Sequence, residues 1–242
     1  MGHACDYVIP AEYFKNHGIT TIALELHGHE QKKKIFIPRF EVFLDDIELM
    51  ITWIQERYPE TPMFIVGNSM GALIATHFGI KRLNPDHQVK GFIFSSPYYV
   101  NAIKTPPLLK NIAGILSVLF PHIGLPLDDY TEQLTNDKTI TARHRVDEKD
   151  HLRATKASAR FGSELLKAQA YIPGNIHTWN QPLLCILAGD DRIANVSAAL
   201  NSLEKIDQKY LTLLQYPQNY HENFNELNRE EIFEKILEWI KP

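Results

Sequence analysis

The chain has 242 residues, 44% of them hydrophobic and 22% charged, with 25 Lys and Arg against 29 Asp and Glu for a formal net charge of −4. That is ordinary globular composition, enough for one α/β domain to bury a core without disulfide staples. Its mild acidity excludes the basic footprint of a nucleic-acid-binding protein. No run of about 18 uncharged apolar residues marks a transmembrane helix. The opening residues, Met1-Gly2-His3-Ala4-Cys5-Asp6, form neither the charged nor the apolar part of a signal peptide. Cys5 and Cys185 lie far apart and fit no metal-ligand spacing, so both read as isolated thiols, which fits a reducing, cytoplasmic compartment. The lone basic cluster, Lys32-Lys33-Lys34, reads as a solvated turn.

In chain order, Asn16-His17-Gly18 reads as a helix stop, and the β-branched run from Ile19 to Leu24 as a strand. Phe40 to Tyr58 carries apolar residues at Phe40, Phe43, Leu44, Ile47, Met50, Ile51 and Ile54, the spacing of an amphipathic helix, which Pro59 closes. Met63 to Val66 reads as a short buried strand, and a helix begins by Ala72 and runs to Ile80. Gly91 to Ser95, Leu183 to Ala188 and Leu211 to Tyr216 are the next strands, alternating later with helices over Ala198 to Lys209 and Arg229 to Trp239. Strands separated by helices imply a mostly parallel sheet with helices on both faces.

Between Pro97 and Gln181 that alternation breaks. No strand is legible there; the segment holds Thr105-Pro106-Pro107, an apolar stretch from Leu108 to Leu127, and a helical pattern from Ala154 to Ala170. The expectation is one domain over residues 1–242 with a helical cap inserted at about 101–178, against the plainer alternative of crossover helices with long loops.

Gly67-Asn68-Ser69-Met70-Gly71 is a G-x-S-x-G pattern that directly follows one expected strand and precedes a helix. That context is what gives the pattern meaning: a sharp strand-to-helix turn exposes a strained serine at the end of a sheet. A side chain at either glycine is expected to crowd the neighbouring strand or helix. The helix that follows offers its dipole and its free N–H groups, Met70 first, to a developing oxyanion. A serine nucleophile needs a base, and the base an orienting acid, each on a later strand-end loop in the order Ser, Asp or Glu, His. Strand Leu183 to Ala188 runs into Gly189-Asp190-Asp191-Arg192, and strand Leu211 to Tyr216 into Pro217-Gln218-Asn219-Tyr220-His221-Glu222. His221 is the only histidine after the last strand, whereas His122, His144, His151 and His177 fall within the expected cap. Position alone leaves Asp190 and Asp191 as equal candidates for the acid.

These residues resemble the monoacylglycerol lipase and lysophospholipase group of α/β-hydrolases, along almost the whole chain. Leu26-His27-Gly28-His29 is similar to that family's G-H-G segment, Gly67 to Gly71 to its G-H-S-M-G turn, and Ser95-Ser96-Pro97 to the S-P that ends the following strand. Arg160 to Leu166 is similar to a cap helix of bacterial members. The family's G-x-D-R places the acid directly before the arginine, which carries that role to Asp191; its Y/C-H-E/V carries the base role to His221. Asn68 stands where the family has His, and Ala72 where it has Gly, a change of one methyl group that is expected to be tolerated. His3-Ala4-Cys5-Asp6-Tyr7 is similar to the region just after the family's H-G-x-G loop. On that likeness Met1 falls inside the loop, and the expectation is a longer natural protein, whose first strands and second oxyanion donor precede Met1.

What the resemblance implies is an α/β-hydrolase fold and hydrolysis of single-acyl lipid esters by Ser69, His221 and Asp191, with the Met70 N–H in the oxyanion hole. It implies no cofactor and no metal. The partner is a small lipid ester, with transient membrane-surface contact through the cap and no nucleic acid. Leu108, Leu109, Ile112, Ile115, Leu116, Leu119 and Phe120 would then line an acyl tunnel or touch a membrane, or else pack as a plain core helix. Two alternatives stay open: acyl transfer or small-ester hydrolysis by the same triad, and a catalytically impaired fold that binds or regulates.

Overall fold

The structure is a computed structural model and describes residues 2–29, 34–103, 114–150 and 152–241. In chain order its elements begin with α1 (Val8–Asn16), β1 (Lys34–Ile35), α2 (Val42–Arg57), β2 (Met63–Asn68), α3 (Met70–Lys81) and β3 (Val89–Ser95). A helical stretch over 114–119 is α4. Then follow β4 (Gly124–Pro126), α5 (Lys138–Lys149), β5 (Lys156–Ser158) and α6 (Ala159–Asn175). The last are β6 (Leu183–Ala188), α7 (Val196–Leu203), β7 (Leu211–Tyr216) and α8 (Arg229–Ile240). Leu108, Leu109 and Ile112 of the apolar stretch, the Thr105-Pro106-Pro107 run, Lys32, Lys33 and His151 lie outside the described residues.

The chain divides into two compact units. One comprises Phe43–Lys104 and Leu166–Asn223; the other comprises Met1–Val42, Thr105–Leu165 and Phe224–Pro242.

The first unit holds a four-stranded sheet in the order β2-β3-β6-β7, every neighbouring pair parallel. All six residues of β6 are buried, as an interior strand covered on both faces requires, and its unbroken run Leu183-Leu184-Cys185-Ile186-Leu187-Ala188 supplies the apolar side chains. Burial pushes the Cys185 thiol far above its usual pKa, so it stays a protonated packing residue. On α3, every residue from Ala72 to Phe78 is buried. Trp179 stands edge-on to Phe92 and Phe94, with ring centroids 4.8 and 5.6 Å away. Gly79 lets α3 approach that indole, because a Cβ there would come within 2.4 Å of the ring.

The second unit holds the three-stranded sheet β1-β5-β4, in which β1 runs parallel and β4 antiparallel to β5. Phe233 of α8 packs against Tyr13 and Phe14 of α1, with ring centroids 5.1 and 5.6 Å away. Asp137 caps α5: its Oδ1 accepts from the Thr139 and Ile140 N–H groups at 2.9 and 3.4 Å. Its other oxygen takes a 2.8 Å bond from Arg229 beside the start of α8. Asp6, Asp147, Arg153, His144 and His3 form a buried or half-buried ionic cluster, in which Arg153 bonds Asp6 and His3 Nε2 lies 3.2 Å from Asp147.

Several sequence expectations need correction. Ile19 to Leu24 forms no strand. β-branched residues favour extended backbone, yet a strand exists only by pairing, and this run has no ladder partner among the described residues. The segment read as strand-free carries β4 and β5, each three residues long and too short to show a period. β5 takes Lys156 to Ser158, so the helix expected from Ala154 starts instead at Ala159 and runs on to Asn175. Lys34 belongs to β1 rather than a solvated turn, and its ammonium donates to the His122 carbonyl at 2.9 Å. α7 ends at Leu203, six residues before the expected Lys209.

The Arg229 bond is the main influence holding the Asp137 carboxyl below its usual pKa, with the cap amides adding to it. A depressed folded-state pKa means that the stabilisation is fully present above the unfolded value of about 3.9 and is lost as pH falls through the folded one. Asp137→Asn keeps a capping oxygen but loses the charge, and should cost about 1–2 kcal/mol at pH 7. Urea denaturation at descending pH should show the two proteins converging in strongly acidic solution.

Candidate active site

Three loops leave the carboxyl ends of parallel strands in the first unit, and each carries one of the expected residues. Ser69 lies between β2 and α3 with φ 55° and ψ −116°, a left-handed conformation unusual for a residue with a side chain. Such strain costs on the order of 1–3 kcal/mol and persists only where its surroundings enforce it. Here the Ser69 N–H donates to the Ser95 carbonyl at 2.9 Å, and its own carbonyl accepts from the Ala72 and Tyr98 N–H groups at 3.1 and 3.2 Å. The turn is therefore pinned to the end of β3 on one side and to the first turn of α3 on the other. Met70 is the first residue of α3, so its N–H has no intrahelical acceptor. Asn68 Oδ1, at the position where the resembled family has histidine, is buried without a hydrogen-bond partner among the described residues.

The two glycines of the motif are not equivalent. A Cβ on Gly67 would come within 2.6 Å of the Ala72 nitrogen, so only glycine lets strand and helix meet there. At Gly71 a Cβ meets nothing within 4 Å among the described residues, which corrects the expectation of crowding at both positions. The difference is geometric: Gly71 sits inside the helix, where its missing side chain faces open space.

His221 follows β7 and is 3% exposed. Its Nδ1 lies 2.8 Å from Asp191 Oδ2, and the side chains are only 4% and 2% exposed. A carboxylate can only accept, so Nδ1 carries the proton and Nε2 keeps the lone pair. The other Asp191 oxygen accepts from the Ile193 and Ala194 N–H groups, both at 2.9 Å, which fixes the carboxylate in the loop after β6. Asp190 faces elsewhere: its oxygens take bonds from Arg192 at 2.9 and 3.2 Å, and this exposed pair raises the guanidinium pKa. The structure thus distinguishes the two aspartates that position in the sequence left equal.

Two residues that sequence reasoning gave no role also shape this region. Gly189 brings the Asp191 loop against the His221 loop, since a Cβ there would come within 2.5 Å of Pro217. The Gly189 and Asp190 N–H groups donate across to the Tyr216 and Asn219 carbonyls at 2.8 and 3.1 Å. Asn223, fully buried, bonds Ser95 and Ser96 at the end of β3. Gly189 was visible as part of the G-x-D-R likeness; nothing in the sequence marked Asn223.

Among the described residues, one group has the ligand types and spacing for a metal ion: His3, Asp6 and Asp147 in the second unit. Arg153 bonds Asp6 and lies 3.7 Å from Asp147, so a guanidinium already supplies the positive charge there.

Residues 1–228 match the family described as serine aminopeptidase, S33. The chain belongs to that family. Among its relatives, phospholipase YtpA of Bacillus subtilis is 29% identical over 231 residues, covering 92% of this chain and 84% of the relative. The monoacylglycerol lipase of Mycolicibacterium smegmatis is 23% identical over 241 residues, covering 98% of this chain and 84% of that one. An abhydrolase-domain protein of Dictyostelium discoideum is 26% identical, and this S33 chain spans only 24% of its length. The crystal structure of Paleococcus ferrophilus monoacylglycerol lipase superposes with a TM-score of 0.84 at 22% identity, over 98% of this chain and 89% of that one. The fold of the S33 chain is accordingly that of the α/β-hydrolases.

The asymmetry of the motif is open to measurement. Gly67→Ala should destabilise the protein by about 1–3 kcal/mol through overpacking. Gly71→Ala should be neutral or stabilising by up to about 1 kcal/mol, the helix preference for alanine over glycine. Thermal and urea melts of both variants would read the difference.

Proposed function

We propose that this S33-family serine hydrolase cleaves carboxylic esters of single-acyl lipids, monoacylglycerols or lysophospholipids. The observation that carries the reading is the buried His221–Asp191 pair at 2.8 Å, standing with the strained Ser69 turn at the carboxyl ends of parallel strands of one sheet. Ser69 Oγ attacks the ester carbonyl while His221 Nε2 takes its proton. Asp191 holds the imidazole in the required tautomer and stabilises the cation that forms. The Met70 N–H, at the positive end of α3, donates to the developing oxyanion. The protonated imidazole then passes its proton to the departing alcohol, leaving an acyl-serine. A water deprotonated by His221 releases the fatty acid and restores the hydroxyl. Every proton in the cycle moves through side chains of this chain, so the scheme calls for neither metal nor organic cofactor.

The substrate class rests on the relatives, which include monoacylglycerol lipases and a phospholipase. We further assign residues 101–178 as the cap and its exposed apolar side chains as a lipid-surface contact. Ile115, Val118, Leu119 and Phe120 are each 59% or more exposed, a concentration of apolar surface suited to an acyl-chain interface. No helix among the described residues is long and apolar enough to cross a membrane. A cytoplasmic location, facing that membrane, fits the two free cysteines.

A fluorophosphonate probe and a monoacylglycerol assay test the reading together. Labelling and turnover should both disappear in Ser69→Ala. Asp191→Asn should lower turnover by about 10³- to 10⁴-fold, as loss of the orienting acid does elsewhere, while Asp190→Asn should leave it near wild type. Labelling without release of fatty acid from any monoacylglycerol or lysophospholipid would sink the substrate assignment but keep the nucleophile. No labelling of the folded protein would favour a binding role.

A further inference from the structure

The Asn223 amide links the nucleophile's turn to the histidine's loop, and the link runs entirely through groups within the first unit. Its Nδ2 donates to Ser95 Oγ at 3.2 Å and to Ser96 Oγ at 3.1 Å, with a longer approach of 3.4 Å to the Ile186 carbonyl. Its Oδ1 accepts from Asn219 Nδ2 at 3.0 Å. Asn219 and Asn223 therefore bracket His221, two residues to either side, and hold the loop at both ends. Ser95, in turn, is the residue whose carbonyl receives the Ser69 N–H at 2.9 Å. Ser96 adopts a left-handed φ of 45°, and its N–H donates to Ile186 O at 2.9 Å, which turns its hydroxyl to the same amide.

From these contacts we infer that Asn223 is a positioning residue, whose amide holds the His221 loop in register with the Ser69 turn. The inference rests on the proposed roles of Ser69 and His221. Asn223, Ser95 and Ser96 are 0%, 0% and 2% exposed, so these bonds are made out of reach of bulk solvent. An amide is the side chain that donates to two hydroxyls and accepts from a third group at once; aspartate lacks the donors and leucine lacks both functions. The imidazole's hydrogen bond to Asp191 sets which nitrogen faces outward. The loop itself is tied to the end of β6 by the Gly189 and Asp190 N–H groups, and the Asn223 bonds add the tie to the end of β3.

The roles separate by kinetics on a soluble short-chain ester. Asn223→Ala and Asn223→Leu should each lower kcat by ~10- to 100-fold with KM unchanged, the scale expected for a misplacement near 1 Å at the reacting groups. The rate of fluorophosphonate labelling should fall in parallel. Leu fills the side-chain volume without hydrogen bonds, so equal losses in Ala and Leu assign the effect to the bonds. Ser96→Ala, which removes one acceptor and nothing from the histidine loop, should give a smaller loss of the same kind and serves if the Asn223 variants do not fold. Leu203→Ala, a buried truncation at the end of α7, a helix with no part in these hydrogen bonds, controls for instability and should lower Tm with kcat intact. Wild-type kcat in Asn223→Leu, or a kcat in Asn223→Ala no lower than in Leu203→Ala, would overturn the inference. Turnover persisting in Ser69→Ala would refute the nucleophile itself, and the positioning role with it, a different signature from failure at Asn223 alone.

Discussion

Strands that run in one direction must all end at the same rim of their sheet, and the loops that carry Ser69, Asp191 and His221 all stand on that rim. β2 ends at the serine turn, β6 runs into the aspartate loop and β7 into the histidine loop, while β3 ends in the serine pair that both sides lean on. Parallel pairing alone gathers these loops; it does not set their spacing to the tolerance that proton transfer demands. That last step falls to close backbone approaches, which glycine permits at positions 67 and 189, and to side-chain bonds made where water cannot compete. The strain at Ser69 belongs to the same arrangement. It is held by hydrogen bonds to Ser95, Ala72 and Tyr98, not by the residue's own preference.

Much of this was legible from the residues, because the relevant signals are local. A glycine-flanked serine between an apolar run and a helical pattern has few structural solutions, and the continuous apolar stretch of β6 has few as well. What escaped depends on partners distant in sequence. Ile19 to Leu24 has strand composition, but composition does not create a ladder. α5 has only Ile140 and Val146 as large apolar residues among its polar ones, so it shows no stripe; Asp137 at its start and the Arg229 bond define it instead. Asn223 looks like any loop asparagine until Ser95, 128 positions away, is placed beside it. The choice between Asp190 and Asp191 turned on a rotation that adjacent identical residues cannot reveal. Family likeness pointed to Asp191; in the structure Arg192 bonds Asp190, and Asp191 bonds the imidazole.

The two units differ in what stabilises them. The first is dominated by apolar strands and a helix buried almost on all sides. The second adds to its apolar core a set of polar ties: the Asp137–Arg229 pair, the Thr135 hydroxyl on the Asn225 carbonyl at 2.8 Å, and the Asp6–Arg153 cluster. All of these ties are directional, and the Asp137–Arg229 pair, which holds the carboxyl below its usual pKa, is lost in acid as well, whereas apolar burial is neither directional nor titratable.

The discontinuous make-up of the second unit bears on how it folds. Tyr13 and Phe14 of α1 pack against Phe233 of α8, far away in the sequence, with the whole of the first unit's chain between them. Until those two helices meet, each carries an aromatic face that the other has yet to cover. Closing so long a loop is entropically slow, and the uncovered faces are sites for unwanted association in the meantime.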